Sequence, residues 1–343
     1  MFYTRFKKCA WLFAGIVAFI LCTGIFVPDR LSLLTNSEGV VSERVLIPGG
    51  QSVGIKMNVK GALIVGVENK NAGPQVGDMI VSVNGKKVES PDDVSSVISG
   101  SGSVAEITVI RNKKKLKYAV KPYYEKSSRT YKLGFWIKEK IAGIGTLSFY
   151  DPKTNQFAAL GHGIYEAETG MLLTSRNGKL LHTRVNQITA GEKGVPGEIE
   201  GVIYDFHNPL GEIKENTEFG IYGEADDAQD FDLNNPMVMG SREEICEGDA
   251  YILTTVKGTD VQKFKIRITK VRRQRSANSK GLEFQVTDQE LLETCGGIVQ
   301  GMSGSPIIQN NRLVGVVTHV FVNDPERGYG IFAEWMVEQT EGR

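Results

Sequence analysis

The stretch KFKIRITKV, residues 263 to 271, alternates strictly through its first residues: Phe264, Ile266 and Ile268 on one side, Lys263, Lys265 and Arg267 on the other. A period of two puts the apolar side chains on one face of a strand and the charges on the opposite face, as a half-buried sheet requires. From about Thr130 onward comparable runs recur, among them GIGTLSFY, FAALGHGI, AYILTTV and GLEFQV, with glycine, asparagine and aspartate turns between them. Helical periodicity is weak until the last dozen residues. The pattern predicts an all-β sandwich or barrel for this part of the chain.

At 343 residues the chain has room for two folded domains. Lysine plus arginine number 40 and aspartate plus glutamate 40, so no global field draws in polyanions and no nucleic-acid partner is expected. Arg5, Lys7 and Lys8 precede an unbroken apolar run from Cys9 to Val27, which Pro28, Asp29 and Arg30 end. A helix of that length spans a hydrocarbon core at about 1.5 Å per residue. The run therefore predicts a cytoplasmic N-terminus (1–8), a transmembrane anchor (9–27) and a linker (28–45), with the remainder outside; a cleaved signal peptide is the alternative. Only Cys246 and Cys295 lie beyond this run, and spacing does not decide whether they pair. His162, His182, His207 and His319 are widely spread and no CxxC or HExxH is present, so neither a metal nor a cofactor is expected.

Residues 46 to 122 carry a second pattern. GDMIVSVNGKKV (77–88) gives a strand with Met79, Val81 and Val83 on one face, then Asn84-Gly85, suited to a type I′ hairpin. In SPDDVSSVI, Ser90 caps a helix, Pro91 suits its first turn, Asp93 completes a capping-box spacing, and Val94, Val97 and Ile98 form an apolar stripe. With the closing strand SVAEITVIRN, this order resembles a PDZ domain of the kind attached to extracytoplasmic proteases. The resemblance implies that QSVGIKM (51–57) holds a carboxylate-binding loop. There Val53, Gly54 and Ile55 would offer N–H groups to a peptide C-terminus, in cis or in trans. The basic run RNKKKLKY (111–118) reads as a solvated face.

GGIVQGMSGSPII (296–308) sets Ser303 among glycines that permit a tight turn, so the N–H groups of Gly301 and Ser303 can converge on one oxyanion. A serine hydroxyl needs a base. His162, at a strand end between Gly161 and Gly163, has room for an approaching loop; His319, inside an apolar strand with Val317 and Phe321, reads as structural. His182 and His207 lie in polar segments. The residues leave the orienting carboxylate open: Asp288 lies at a strand end before Ser303, while the acidic loop EADDAQDFD (224–232) reads as surface. A non-catalytic scaffold is the competing reading. An esterase elbow fits poorly, because Pro306 and a β-run follow Ser303 where a helix is expected.

GHGI, VTDQELLETCGGIVQGMSGSPI and VGVVTHVFVNDPERGYGIFAEWM together resemble the SpoIVB peptidases, stage IV sporulation serine proteases of family S55. The resemblance implies a mainly β chain: the N-terminal transmembrane helix, the PDZ-like domain (46–122) and a chymotrypsin-like double β-barrel peptidase domain (123–343). It implies nucleophile Ser303, base His162, aspartate Asp288 and an oxyanion hole at Gly301 and Ser303. It also implies a membrane-anchored, self-processing endopeptidase of the forespore membrane. Its substrates would be its own chain and the ectodomain of a membrane-protein partner in the space between forespore and mother-cell membranes, signalling late mother-cell gene expression. In GHGIYEAETG glutamates stand where relatives tend to have aspartates.

Overall fold

A computed structural model describes residues 43–68, 73–98, 102–112, 114–166 and 170–341. Short apolar runs with turn residues between them become the strands β1 (Val45–Pro48), β2 (Ser52–Val67), β3 (Met79–Val83), β4 (Lys86–Lys87), β5 (Ala105–Arg111), β6 (Lys114–Val120), β7 (Tyr123–Glu125), β8 (Thr130–Lys132), β9 (Phe135–Asp151) and β10 (Gln156–Ala159). There follow β11 (Ser175–Thr189), β12 (Glu198–Ile203), β13 (Gly211–Thr217), β14 (Gly220–Ala225), β15 (Met237–Met239), β16 (Gly248–Thr254), β17 (Gln262–Val271), β18 (Leu282–Val286), β19 (Pro306–Gln309), β20 (Arg312–Phe321) and β21 (Asp324–Phe332). Among the described residues the α-helices are α1 (Pro91–Ile98), α2 (Gln289–Cys295) and α3 (Ala333–Glu341).

Two antiparallel rings close. The first runs β9, β10, β14, β13, β11, β2 and back to β9, around Val53, Ile55, Leu147, Phe157, Leu180 and Ile221. The second runs β16, β17, β18, β21, β20, β19 and back to β16, with Phe264, Ile266, Phe284, Ile307 and Ile331 in its core. The alternation at 263–268 is realised there: Phe264, Ile266 and Ile268 are buried and the three cations between them are exposed. Burying each such apolar side chain is worth about 1.5–3 kcal/mol. β1 ties the rings together, pairing Val45 and Leu46 with β15 and Ile47 and Pro48 with β9.

The PDZ-like unit grows out of the first ring. Past Gly61 (φ +104), the second half of β2 pairs with β3 (Ala62 with Ile80, Leu63 with Met79), and the first half of β9 pairs with β2 from Leu63 to Val67. β5 and β6 extend that sheet, and α1 covers a core of Ile64, Ile80, Val94, Ile98, Ile107 and Val109. Asn84 (φ 52) and Gly85 (φ 74) both take the left-handed conformation that a type I′ turn demands. Asp93 Oδ2 accepts from the N–H of Ser90 at 2.9 Å, the reciprocal half of a capping box. The linear division expected at 45/46 and 122/123 is interleaved in the structure, because the first half of β2 completes the first ring and β1 bridges the two rings.

The expected fold class needs one correction. Among the described residues no helix is long and apolar enough to cross a membrane. The anchor expected at 9–27, with residues 1–8 and the linker up to 42, lies outside the described residues. The described chain is mainly β, a PDZ-like unit with a peptidase domain.

Candidate active site

The two rings meet at two left-handed turns. β10 ends at Ala159, and Leu160 (φ 74) and Gly161 (φ 68) then swing the chain away from the first barrel and carry His162 outward. A Cβ on Gly161 would lie 3.0–3.2 Å from Val316, Thr318 and the Val317 carbonyl, so β20 of the second barrel packs directly against this turn. The second turn carries Ser303, between Gly301 (φ 100) and Gly304 (φ 106). At Gly304 a Cβ would fall 1.9 Å from the Thr146 carbonyl oxygen. Only glycine lets this loop reach β9.

Backbone bonds then fix the loop. Thr146 N–H donates to the Ser303 carbonyl at 3.0 Å, and Gly304 N–H donates to the Val317 carbonyl at 2.8 Å. The buried Thr146 hydroxyl donates to the Gly301 carbonyl at 2.7 Å. With that carbonyl tied down, the N–H groups of Gly301 and Ser303 have no protein acceptor among the described residues. Two such free donors on one turn are what a tetrahedral oxyanion requires.

Ser303, His162, Gly301, Gln300 and His319 share a cavity of about 530 Å³. His162 Nδ1 lies 2.8 Å from the Gly163 carbonyl. A carbonyl only accepts, so Nδ1 carries the proton and Nε2 keeps the lone pair of a base. Burial of the ring lowers the His162 pKa, and the Gly163 bond opposes the shift. The Ser303 hydroxyl donates to the Thr318 carbonyl at 2.8 Å; among the described residues no hydrogen bond joins it to His162. The His319 ring stands 5.1 Å from that of His162, tilted by 36°. His319 is pushed down to about 4, by desolvation first and then by His162 and Lys280.

Asp288 stands at the start of a helix. Its Oδ1 accepts from Leu291 N–H at 3.3 Å and its Oδ2 from Lys265 N–H at 3.0 Å, so it caps α2 and pins that helix to β17. The first N–H groups of a helix need an acceptor, and an aspartate directly before QELLETC supplies it. The structure does not join Asp288 to His162; the Gly163 carbonyl holds the ring instead.

Val53, Gly54 and Ile55 require a correction. Each pairs with β9 on one side (Gly145, Ile144, Gly143) and with β11 on the other (His182, Leu181, Leu180). A strand paired on both edges has no donors left for a peptide. The open groove of the PDZ-like unit, about 500 Å³, lies instead between α1 and the start of β9, where Val94, Ile98, Leu133, Phe135 and Ile137 line it. Its sequence signal is Leu133-Gly134-Phe135, with Gly134 at φ 76, placed after the unit's hairpins rather than before them.

Sequence reasoning also missed Thr146, Thr318 and the place of His319 in the cavity wall, whose links to the serine loop or to His162 run between distant segments. In the basic run, Arg111 is no solvated charge, since it forks onto the buried Asp78 carboxylate with two 2.6 Å bonds. Cys246 and Cys295 are both free thiols. Among the described residues no cluster could hold a metal ion.

A double barrel with a histidine and a glycine-framed serine at its junction, carrying a PDZ-like unit, defines a serine peptidase. The model of the SpoIVB peptidase S55 family matches residues 129–337, well over half of the chain, and the chain belongs to that family. A PDZ domain model matches residues 70–111. Among solved structures, the Rv3671c protease from Mycobacterium tuberculosis in its active form is similar at 16% identity, covering 59% of this chain and 74% of that one, with a TM-score of 0.34. Its inactive form matches at 16% identity, with 58% and 83% covered and a TM-score of 0.32. The PDZ domain of the SdrC-like protein Lmo2051 from Listeria monocytogenes matches at 17% identity, with 23% and 87% covered and a TM-score of 0.21. No curated protein matches the chain.

Proposed function

We propose that this serine peptidase is a self-processing signalling endopeptidase of sporulation. In this reading it cuts its own chain and then the ectodomain of a membrane-protein partner, in the space between forespore and mother-cell membranes. The observation that carries the catalytic part is the single cavity holding Ser303, His162 and the free N–H groups of Gly301 and Ser303. The sporulation setting rests on membership of the SpoIVB family.

The proposed reaction is acyl transfer. Ser303 Oγ turns from Thr318, attacks the peptide carbonyl carbon and passes its proton to His162 Nε2. The oxyanion gathers the two free N–H groups, each worth roughly 3 kcal/mol in comparable enzymes. The C–N bond breaks as His162 gives the proton to the leaving amine, and water then hydrolyses the acyl-enzyme through the same base. The groove between α1 and β9 is the proposed seat for a peptide, from this chain or a partner, that sets the timing or choice of cleavage.

Two experiments test the two parts. Fluorophosphonate labelling of the purified protein should give one adduct at Ser303, lost in Ser303→Ala and His162→Ala. In a sporulating host lacking the gene, the wild-type chain should restore late mother-cell expression and Ser303→Ala should not; full rescue by that variant would sink the signalling role.

A further inference from the structure

β10 leaves the edge of β9 at Ala159, and the chain turns away through Leu160 and Gly161. Beyond that point β9 from Ile141 to Ile144 is paired on one side only, with Met57 to Gly54 of β2. Among the described residues no strand takes the other edge. Ala142 and Gly143 are exposed along it. Two residues past Ile144, the Thr146 N–H holds the Ser303 carbonyl. A run of unpaired backbone donors and acceptors thus leads up to the nucleophile.

Around Ser303 and the two histidines, the cavity under this edge is mainly aliphatic. Ile55, Ile141, Ile144, Leu160 and Ile164 form most of its walls, with Tyr165 and Gln300 beside them, and among the described residues no carboxylate, lysine or arginine lines it. A charged side chain seated there would lose water and gain no partner.

We propose that the substrate enters as an extended strand on the open edge of β9 and seats an aliphatic side chain, of the leucine, isoleucine, valine or methionine class, directly beside the scissile bond. Main-chain bonds to the edge supply binding common to any sequence, and the aliphatic walls supply the choice. This rests on the serine peptidase reading of the same cavity.

The test uses the purified full chain and a peptide library varied over the two residues on each side of the scissile bond. Aliphatic residues should exceed aspartate, glutamate, lysine and arginine by at least about tenfold at one of those positions. N-methylation of the substrate backbone, one residue at a time, should stop cleavage at alternate positions, as strand pairing requires. Ala142→Glu adds a carboxylate at an exposed point of the wall. It should raise the ratio of kcat/KM for a lysine peptide over a leucine peptide by about tenfold or more, a ratio that does not depend on the active fraction of the sample. If Ser303 labels with fluorophosphonate but the library shows no aliphatic preference, or the ratio stays put in Ala142→Glu, the substrate proposal is overturned and the peptidase reading stands. If neither labelling nor cleavage occurs, both are overturned.

Discussion

Ser303 gives its hydroxyl hydrogen to the Thr318 carbonyl at 2.8 Å, while His162 in the same cavity is held through Nδ1 by Gly163. The proposed nucleophile and base line one cavity and have separate partners. Turning the serine side chain from one acceptor to the other exchanges a single hydrogen bond, a change of about 1 kcal/mol.

The pH profile should carry the mark of the buried ring. A general base works when neutral, and burial lowers the His162 pKa from its ordinary 6.5, so the imidazole stays neutral further into acid. The acid limb of kcat/KM is expected below pH 6.5. Steady-state rates across pH 4 to 9 check it, and a limb at or above the ordinary value would contradict the burial seen here.

At Asp288 two roles make opposite forecasts. As a helix cap, Asp288→Asn keeps an acceptor for Leu291 and should stay near wild type in both stability and turnover, whereas Asp288→Ala should lose about 1 kcal/mol of stability. An aspartate orienting the base would instead drop kcat about 10⁴-fold on change to asparagine. Urea denaturation and kcat measured on both variants separate the two.

Gly304→Ala should damage the site through the backbone alone. Its Cβ would lie 1.9 Å from the Thr146 oxygen, at a φ of +106, for an expected loss of about 2–4 kcal/mol and of Ser303 labelling. Gly143→Ala is the control, since a Cβ there meets nothing within 4 Å. Its stability should stay within about 0.5 kcal/mol of wild type by the same urea assay.

The two thiols should differ sharply. Burial pushes the Cys295 thiol up to about 12, while Cys246 is exposed. Iodoacetamide at pH 8 is expected to modify Cys246 and spare Cys295 until denaturant is added, because the thiolate is the reactive form. Peptide mapping reads this out; equal labelling of the two in the folded protein would count against the buried environment.

Much of the site was legible because its signals are local. Glycines beside Ser303 and His162, and the strand endings that carry them, sit within a few residues of the chemistry. Thr146 was not legible: its bond to Gly301 joins segments 155 residues apart, and nothing in GIGTLSFY announces it. Asp288 was read through the family resemblance, yet an aspartate before QELLETC equally satisfies a helix terminus, and its bond from Lys265 N–H joins segments that sequence order keeps apart. The PDZ-like pattern was legible in its turns and its capped helix. Its boundaries were not, because β2 and β9 pair across the whole unit and sequence order hides that pairing.

Those two shared strands change what excision can mean for this molecule. A domain on a tether can be cut away at one bond, but removing the PDZ-like unit severs β2 and β9 together and leaves two frayed ends on the first barrel. Any graft would have to enter as a cassette with both ends matched in register. A load applied at Phe135 to Ile137 acts on the same continuous beam that, at Thr146, props the serine loop.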